Sequence, residues 1–149
     1  MWRSITEADL LTRLSASELD AIRNLAEGED RGDPITDAVA NVTAKVRGYI
    51  AGNRANVMGA GGTLPGTLID VAVALLVVDL YSRSAGLLID LNDTRRKSAE
   101  AAERTLRDVA AGSFRVELPD GAADAFAGSS AAEMASPSAP LRRNDLAGL

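Results

Sequence analysis

A mainly α-helical fold, a small bundle around one central apolar helix, is what this sequence predicts, and three observations predict it. The first is the stretch from Leu64 to Arg83, the most apolar in the chain. Two stripes run through it: Leu68, Val71, Leu75 and Val78, and one residue on, Ile69, Val73, Leu76 and Leu80. Each has the spacing of a helix face, and the one-residue offset sets them about 100° apart around the axis, so this helix needs cover from two sides. The second is a pair of flanking stretches with a single seam each. Ile35, Val39, Val42, Val46 and Tyr49 step by 4, 3, 4 and 3, and Ala99, Ala102, Leu106 and Val109 step by 3, 4 and 3. The third is composition: 46% of the chain is hydrophobic but only 3% is aromatic. That suits Leu, Val, Ile and Ala between closely packed helices and leaves little to build a β-sandwich.

The central stretch is read as a core helix rather than a membrane span. A span needs about 20 mostly apolar residues, whereas the run Val71 to Val78 is short and is bracketed by Asp70 and Asp79. Val71, Val73, Val77 and Val78 would also suit a strand. The length of the pattern and its Thr63-Leu64-Pro65-Gly66-Thr67 start argue for a helix.

In chain order, residues 1–14 are expected to hold a short helix, with Thr6 as N-cap, Glu7 and Asp9 in the first turn and Leu10, Leu11 and Leu14 as its apolar edge. Ser17 is expected to cap a second helix through Ala26, buried along Leu19, Ile22 and Leu25. Residues 27–33 read as a polar loop. Asp33 and Pro34 then start a third helix, to about Ala51, because proline suits the first helical position. Residues 52–66, with five glycines, read as a loop. After the central helix Gly86 gives a break, and Leu87 to Leu91 is either a helical continuation or a short buried segment. Asn92 or Asp93 caps a last helix through Ala111, which Gly112 ends as a C-terminal cap.

The period then changes. Phe114, Val116 and Leu118 alternate with Arg115 and Glu117, the periodicity of a strand. A lone strand leaves its backbone groups unpaired, and the sequence offers no second convincing strand, so a partner on another chain is an open expectation. The helical domain is taken as residues 1–118. Residues 119–149, rich in Gly, Ala, Ser and Pro, read as an extended or partly disordered tail. Its end, Leu141, Arg142 and Arg143, is apolar and basic again, as a docking segment would be.

Several function classes are disfavoured. The net charge is −5 and the pI about 4.7, with two lysines, against nucleic-acid recognition, which needs clustered cations. The run Arg95-Arg96-Lys97 is read as a solvated helix face. There is no cysteine and no histidine, which removes disulfides, thiol chemistry and the commonest general base and transition-metal ligand. Gly59-Ala60-Gly61-Gly62-Thr63 lacks the Lys and the preceding strand of a phosphate loop. Asp70 and Asp79 lie nine residues apart, about 180° around a helix, and share no site; Asp79 is placed to pair with Arg83. The serine-rich stretches have no nucleophile elbow. The expectation is no enzyme, no cofactor and no metal, and a binding or assembly role. The N-terminus lacks a signal-type apolar core, which makes a cytosolic origin the default.

The order of motifs carries a resemblance. Ile5-Thr6-Glu7-Ala8-Asp9-Leu10-Leu11-Thr12-Arg13-Leu14 is followed by Pro34-Ile35-Thr36-Asp37-Ala38-Val39-Ala40, by Val46-Arg47-Gly48-Tyr49-Ile50, by Leu64-Pro65-Gly66-Thr67-Leu68 and Ile69-Asp70-Val71-Ala72, and by Ala101 to Gly112. Over about residues 4–118 this resembles the Mu-like tailed-phage and prophage head–tail connector (adaptor) family. Val109 stands where that family has isoleucine in its closing motif, and the Gly-rich loop after Asn53-Arg54-Ala55-Asn56 replaces a proline-containing one.

The resemblance implies a helical adaptor assembled as a homo-oligomeric ring, commonly a dodecamer, in the virion neck between head and tail. Its partners would be the portal protein and a tail or stopper protein, with DNA passing through unread and no membrane involved. Assembly would take place in the bacterial cytoplasm. An acidic ring would line such a passage without gripping phosphates. The expected contact residues are Phe114, Arg115, Val116, Glu117 and Leu118, Asn53 and Arg54 within the loop 53–63, and Leu141, Arg142 and Arg143. The alternative expectation is a small cytosolic helical binding or regulatory module without catalysis.

Overall fold

A computed structural model of the chain describes residues 1–27, 32–83 and 91–122. Five helices and two short strands are present among them: β1 (Trp2–Arg3), α1 (Glu7–Leu10), α2 (Ala16–Glu27), α3 (Pro34–Gly52), β2 (Leu64–Pro65), α4 (Gly66–Arg83) and α5 (Asp93–Ala111). The fold is mainly helical. The expected turn after α4, residues 87–90 and the tail from 123 on lie outside the described residues, as do Leu141, Arg142 and Arg143.

α4 is the hub. Leu68, Ile69, Ala72, Val73, Ala74, Leu75, Leu76, Val77, Leu80 and Tyr81 are all buried. The six consecutive buried positions from Ala72 to Val77 go once and more around the axis, so the cover is wider than two stripes require. Val71 and Val78, members of one expected stripe, are only half-buried. α3 and α5 both pack on α4 and on each other.

The directions follow from side-chain contacts. Lys45 pairs with Glu103 at 3.1 Å. A Cβ on Gly52 would lie 3.7 Å from Ala110, and one on Gly112 would lie 3.1 Å from the Asn53 amide. The residue offset is nearly constant, so α3 and α5 run parallel. α4 runs against both: its first residue meets Glu117 beyond the end of α5, whereas Tyr81 near its last turn meets Arg95 in the first turn of α5. The bundle therefore has one end where α3 and α5 stop and α4 starts, and another where the reverse holds.

Local chemistry sets the helix limits. The Asp33 carboxylate accepts from the Ile35 N–H at 3.2 Å with Pro34 at the first helical position. Asn92 accepts from the Arg95 N–H at 2.9 Å. Gly112 ends α5 in the left-handed region at φ 82°, where a side chain would be strained. At α2 the cap is Ser15 rather than Ser17: its hydroxyl accepts from the Glu18 N–H while Glu18 returns a carboxylate to the Ser15 N–H at 2.7 Å, the reciprocal pattern of a capping box. On α3 the buried seam is rotated from the expected one. Ala38 and Ile50 are fully buried beside Val42 and Val46, whereas Val39 and Tyr49 are half-buried.

The strands fall where the sequence reading did not put them. β1 and β2 pair antiparallel, with Trp2 opposite Pro65 and Arg3 opposite Leu64. Each is two residues long, too short for alternation to register as a pattern. Residues 114–118, expected to be a strand, form no ladder. The nearby Trp2 edge reaches this segment through its indole rather than its backbone, as described next. The segment crosses the end of the bundle without regular structure, with Phe114 and Val116 packed on the core. Among the described residues no helix is long and apolar enough to cross a membrane.

Candidate partner interface

The end of the bundle where α4 begins is assembled around Trp2, the only tryptophan of the chain and 8% exposed. Its indole N–H donates to the Glu117 carbonyl at 2.9 Å. Its ring lies flat against Gly59: a Cβ there would sit 2.4 Å from Cε3, so only glycine admits the approach. Arg47 stands over the other part of this arrangement, its guanidinium carbon 6.0 Å from the ring centroid. The same guanidinium donates to the Ala60 and Thr63 carbonyls at 2.8 Å each and to the Gly59 carbonyl at 3.1 Å. One rigid planar cation thereby satisfies three loop carbonyls. The Gly-rich loop is thus a built structure pinned to α3 and to the first strand, which its composition alone does not disclose.

Glu117 completes this end. Its carboxylate accepts from the Gly66 N–H at the first residue of α4 and pairs with the N-terminal ammonium at 2.9 Å. The hydrogen bond from that ammonium is the main reason its carboxyl is held below the ordinary range, with burial opposing and the amides of Gly66 and Thr67 assisting. A carboxylate at a helix N-terminus is favoured by the orphan N–H groups there. Beside it, Arg3 and Asp9 form a two-pronged pair at 2.6 and 2.7 Å that ties β1 to α1. The hydrogen bonds from Arg3 hold the Asp9 carboxyl well below the usual range.

The residues expected from the sequence to make contacts divide as follows. Phe114 and Val116 face the core, Glu117 is turned onto the start of α4, and Arg115 and Leu118 are exposed, Leu118 by 48%. Arg54 is exposed at the end of α3. Asn53 is half-buried; its side chain accepts from the Ala55 N–H at 3.0 Å and lies against Gly112. The structure brings Asn53 against Gly112, where the segment that carries Arg115 to Leu118 begins, and leaves Arg54 exposed at the same end. Met1, 76% exposed, lies at the same end. Trp2 and Arg47 were missed. The signal that could have found Trp2 was its solitude in a chain poor in aromatics.

The other end carries a second cluster, and it corrects the reading of Arg95 as a solvated face. Arg95 donates to Glu18 at 2.9 Å and to the Arg13 carbonyl at 3.2 Å, while the Tyr81 hydroxyl donates to Glu18 at 2.6 Å. The guanidinium also lies 5.1 Å from the Tyr81 ring centroid. Burial disfavours the charged Glu18, but hydrogen bonds from Tyr81, Ser15 and Arg95 outweigh it and hold the carboxyl down at about 2. Asp79 and Arg83 pair at 2.8 Å as their spacing predicts.

Along the α4–α5 seam lie two adjoining hollows of about 220 and 230 Å³, both bordered by Arg13, Ala74 and Ser98. Each is smaller than the roughly 300–1,000 Å³ of a small-molecule site.

No curated protein and no solved structure matches the chain. A family model, that of bacteriophage Mu Gp36, matches residues 5–135. The match begins just after β1 and runs through every helix, the Gly-rich loop and the extended segment. With most of its length matched, the chain is a phage-type protein that belongs to the bacteriophage Mu Gp36 family.

Proposed function

We propose that the chain is a structural connector subunit of a tailed phage or phage-like particle. In this reading it forms a ring in the virion neck between portal and tail, lets DNA pass without reading it, and carries out no catalysis. Family membership supports a phage role. The observation that carries the finer reading is the division of the molecule. The helices close a core around α4, while the N-terminal strand, the loop 53–63 and residues 113–118 gather at one end with exposed Met1, Arg54, Arg115 and Leu118. That arrangement suits a subunit whose work is contact with neighbours, since function in such proteins sits on surfaces positioned by a rigid scaffold.

The test is co-expression of the full chain with a portal protein from the same phage or prophage, followed by electron microscopy. Rings seated on portal particles are the expected result. A chain that stays monomeric at all concentrations and never joins portal particles would overturn the reading. Removing residues 119–149 is expected to leave the helical signal and the unfolding midpoint intact while weakening assembly. Unfolding on truncation would refute the division at residue 118.

A further inference from the structure

We propose that residues 115–118 are an open strand which an acidic, extended segment of a partner protein joins by main-chain pairing. The backbone of this segment is the first ground. Among the described residues, no N–H from Arg115 to Leu118 donates to any group, and of their carbonyls only that of Glu117 is engaged, by the Trp2 indole. Neighbouring residues of an extended chain turn their N–H and C=O groups to opposite edges. With the Glu117 carbonyl aimed at Trp2, an extended backbone turns the groups of Val116 and Leu118 to the opposite edge, where among the described residues none of them has a partner. That outward edge is where a further strand would bond.

The edge is also held ready. Phe114 and Val116 are packed on the core, and Glu117 is fixed by its bonds to the start of α4 and by the indole. A partner strand would therefore not bear the ordering cost of this segment.

Charge selects the partner. Arg54 and Arg115 form no ion pair among the described residues, in a chain of net charge −5. Asn53 lies against Gly112, three residues before Arg115, so the two cations lie at the same end of the bundle as this edge. Two unpaired guanidiniums beside open amides fit carboxylates, and the exposed Leu118 offers an apolar contact. This deepens the connector reading and rests on it for the partner being another protein of the particle.

The test uses the full chain and a short fluorescent peptide of alternating threonine and glutamate, with the lysine counterpart as control. The acidic peptide is expected to bind, to protect the amides of Val116 and Leu118 from hydrogen exchange, and to weaken with added salt. The R54E/R115E double variant is expected to weaken binding by about tenfold or more, since like charges replace unlike ones at the edge. Val116→Pro removes an outward N–H and should abolish binding, whereas its control Val116→Ala, which loses packing on the core but keeps the N–H, should still bind. Equal binding of the lysine peptide, no binding of the acidic one, or full binding by both the double variant and Val116→Pro would overturn the proposal. So would rings of the chain alone that are lost in Val116→Pro, because the edge would then serve a second copy. Loss of peptide binding with portal-seated rings intact sinks this inference alone; peptide binding without rings sinks the connector reading alone.

Discussion

The two ends of the bundle are stapled by different means. At the end where α5 begins, Glu18, Tyr81 and Arg95 join α2, α4 and α5 through charged side chains. At the opposite end Trp2, Arg47 and Glu117 join a strand, a loop and an extended segment, largely by satisfying main-chain carbonyls and amides. Helices bring their backbone bonds with them, so a staple between helices needs only to fix their relative placement. Segments without regular structure expose carbonyls that must find donors, so their staple has to supply those donors as well. The second arrangement is more exacting, and it depends on single residues that have no substitute.

The comparison can be broken in a graded way. Trp2→Ala should have the largest effect, about 3–5 kcal/mol of lost stability in urea titration, as expected for emptying a buried aromatic site. A loss no larger than that of the Tyr81→Phe variant would mean the Trp2 end is not the more exacting of the two. Gly59→Ala comes next, at about 1–3 kcal/mol, because the new Cβ collides with a ring whose indole is already fixed on the Glu117 carbonyl. The Glu18 cluster should show its worth through pH. Its folded-state carboxyl is depressed to about 2 from an ordinary 4.5, so the ionised form stabilises the fold above about 4.5, and that contribution disappears as pH falls from there toward about 2. Urea midpoints across that window should fall for the native chain and be flatter for Glu18→Gln; parallel curves would remove Glu18 from the staple. Asn92→Ala should cost about 1 kcal/mol through the lost cap of α5. The exposed Lys45–Glu103 pair should come last, within about 1 kcal/mol when Lys45 is changed to Met.

The helices were legible in the sequence because their signals are local and repeated. The seams of α4 and α5, the Asp33-Pro34 start of α3 and the Gly112 stop all sit within the element they define. The strands were not legible, because two residues cannot display a period, and β1 and β2 are joined from opposite sides of α1 to α3. Phe114 to Leu118 alternates as a strand does, yet its inward positions are filled by packing and by a carboxylate turned onto a helix start. Alternation reports facing, and does not ensure a ladder. Arg95 misled for a related reason. It sits in a charged run, but its partners Glu18 and Tyr81 lie 77 and 14 residues away. Of the expected contact residues, the sequence supplied exposed Arg54, Arg115 and Leu118. It marked Trp2 only by its solitude and gave no hint of Arg47, and the roles of both arise only when distant segments meet.

The cap of α4 has a bearing on synthesis. The core helix starts at Gly66, but the carboxylate that receives its first amide belongs to Glu117, 51 residues later, and the indole of the second residue waits for the carbonyl of that same glutamate. A chain still emerging from the ribosome therefore carries its central helix with an open start, and its opening strand without a fastening, until α5 has been made. A chain interrupted between the end of α5 and residue 117 has all five helices but lacks both the carboxylate that meets Gly66 and the carbonyl that meets the indole, and so cannot set the end that bears the outward edge.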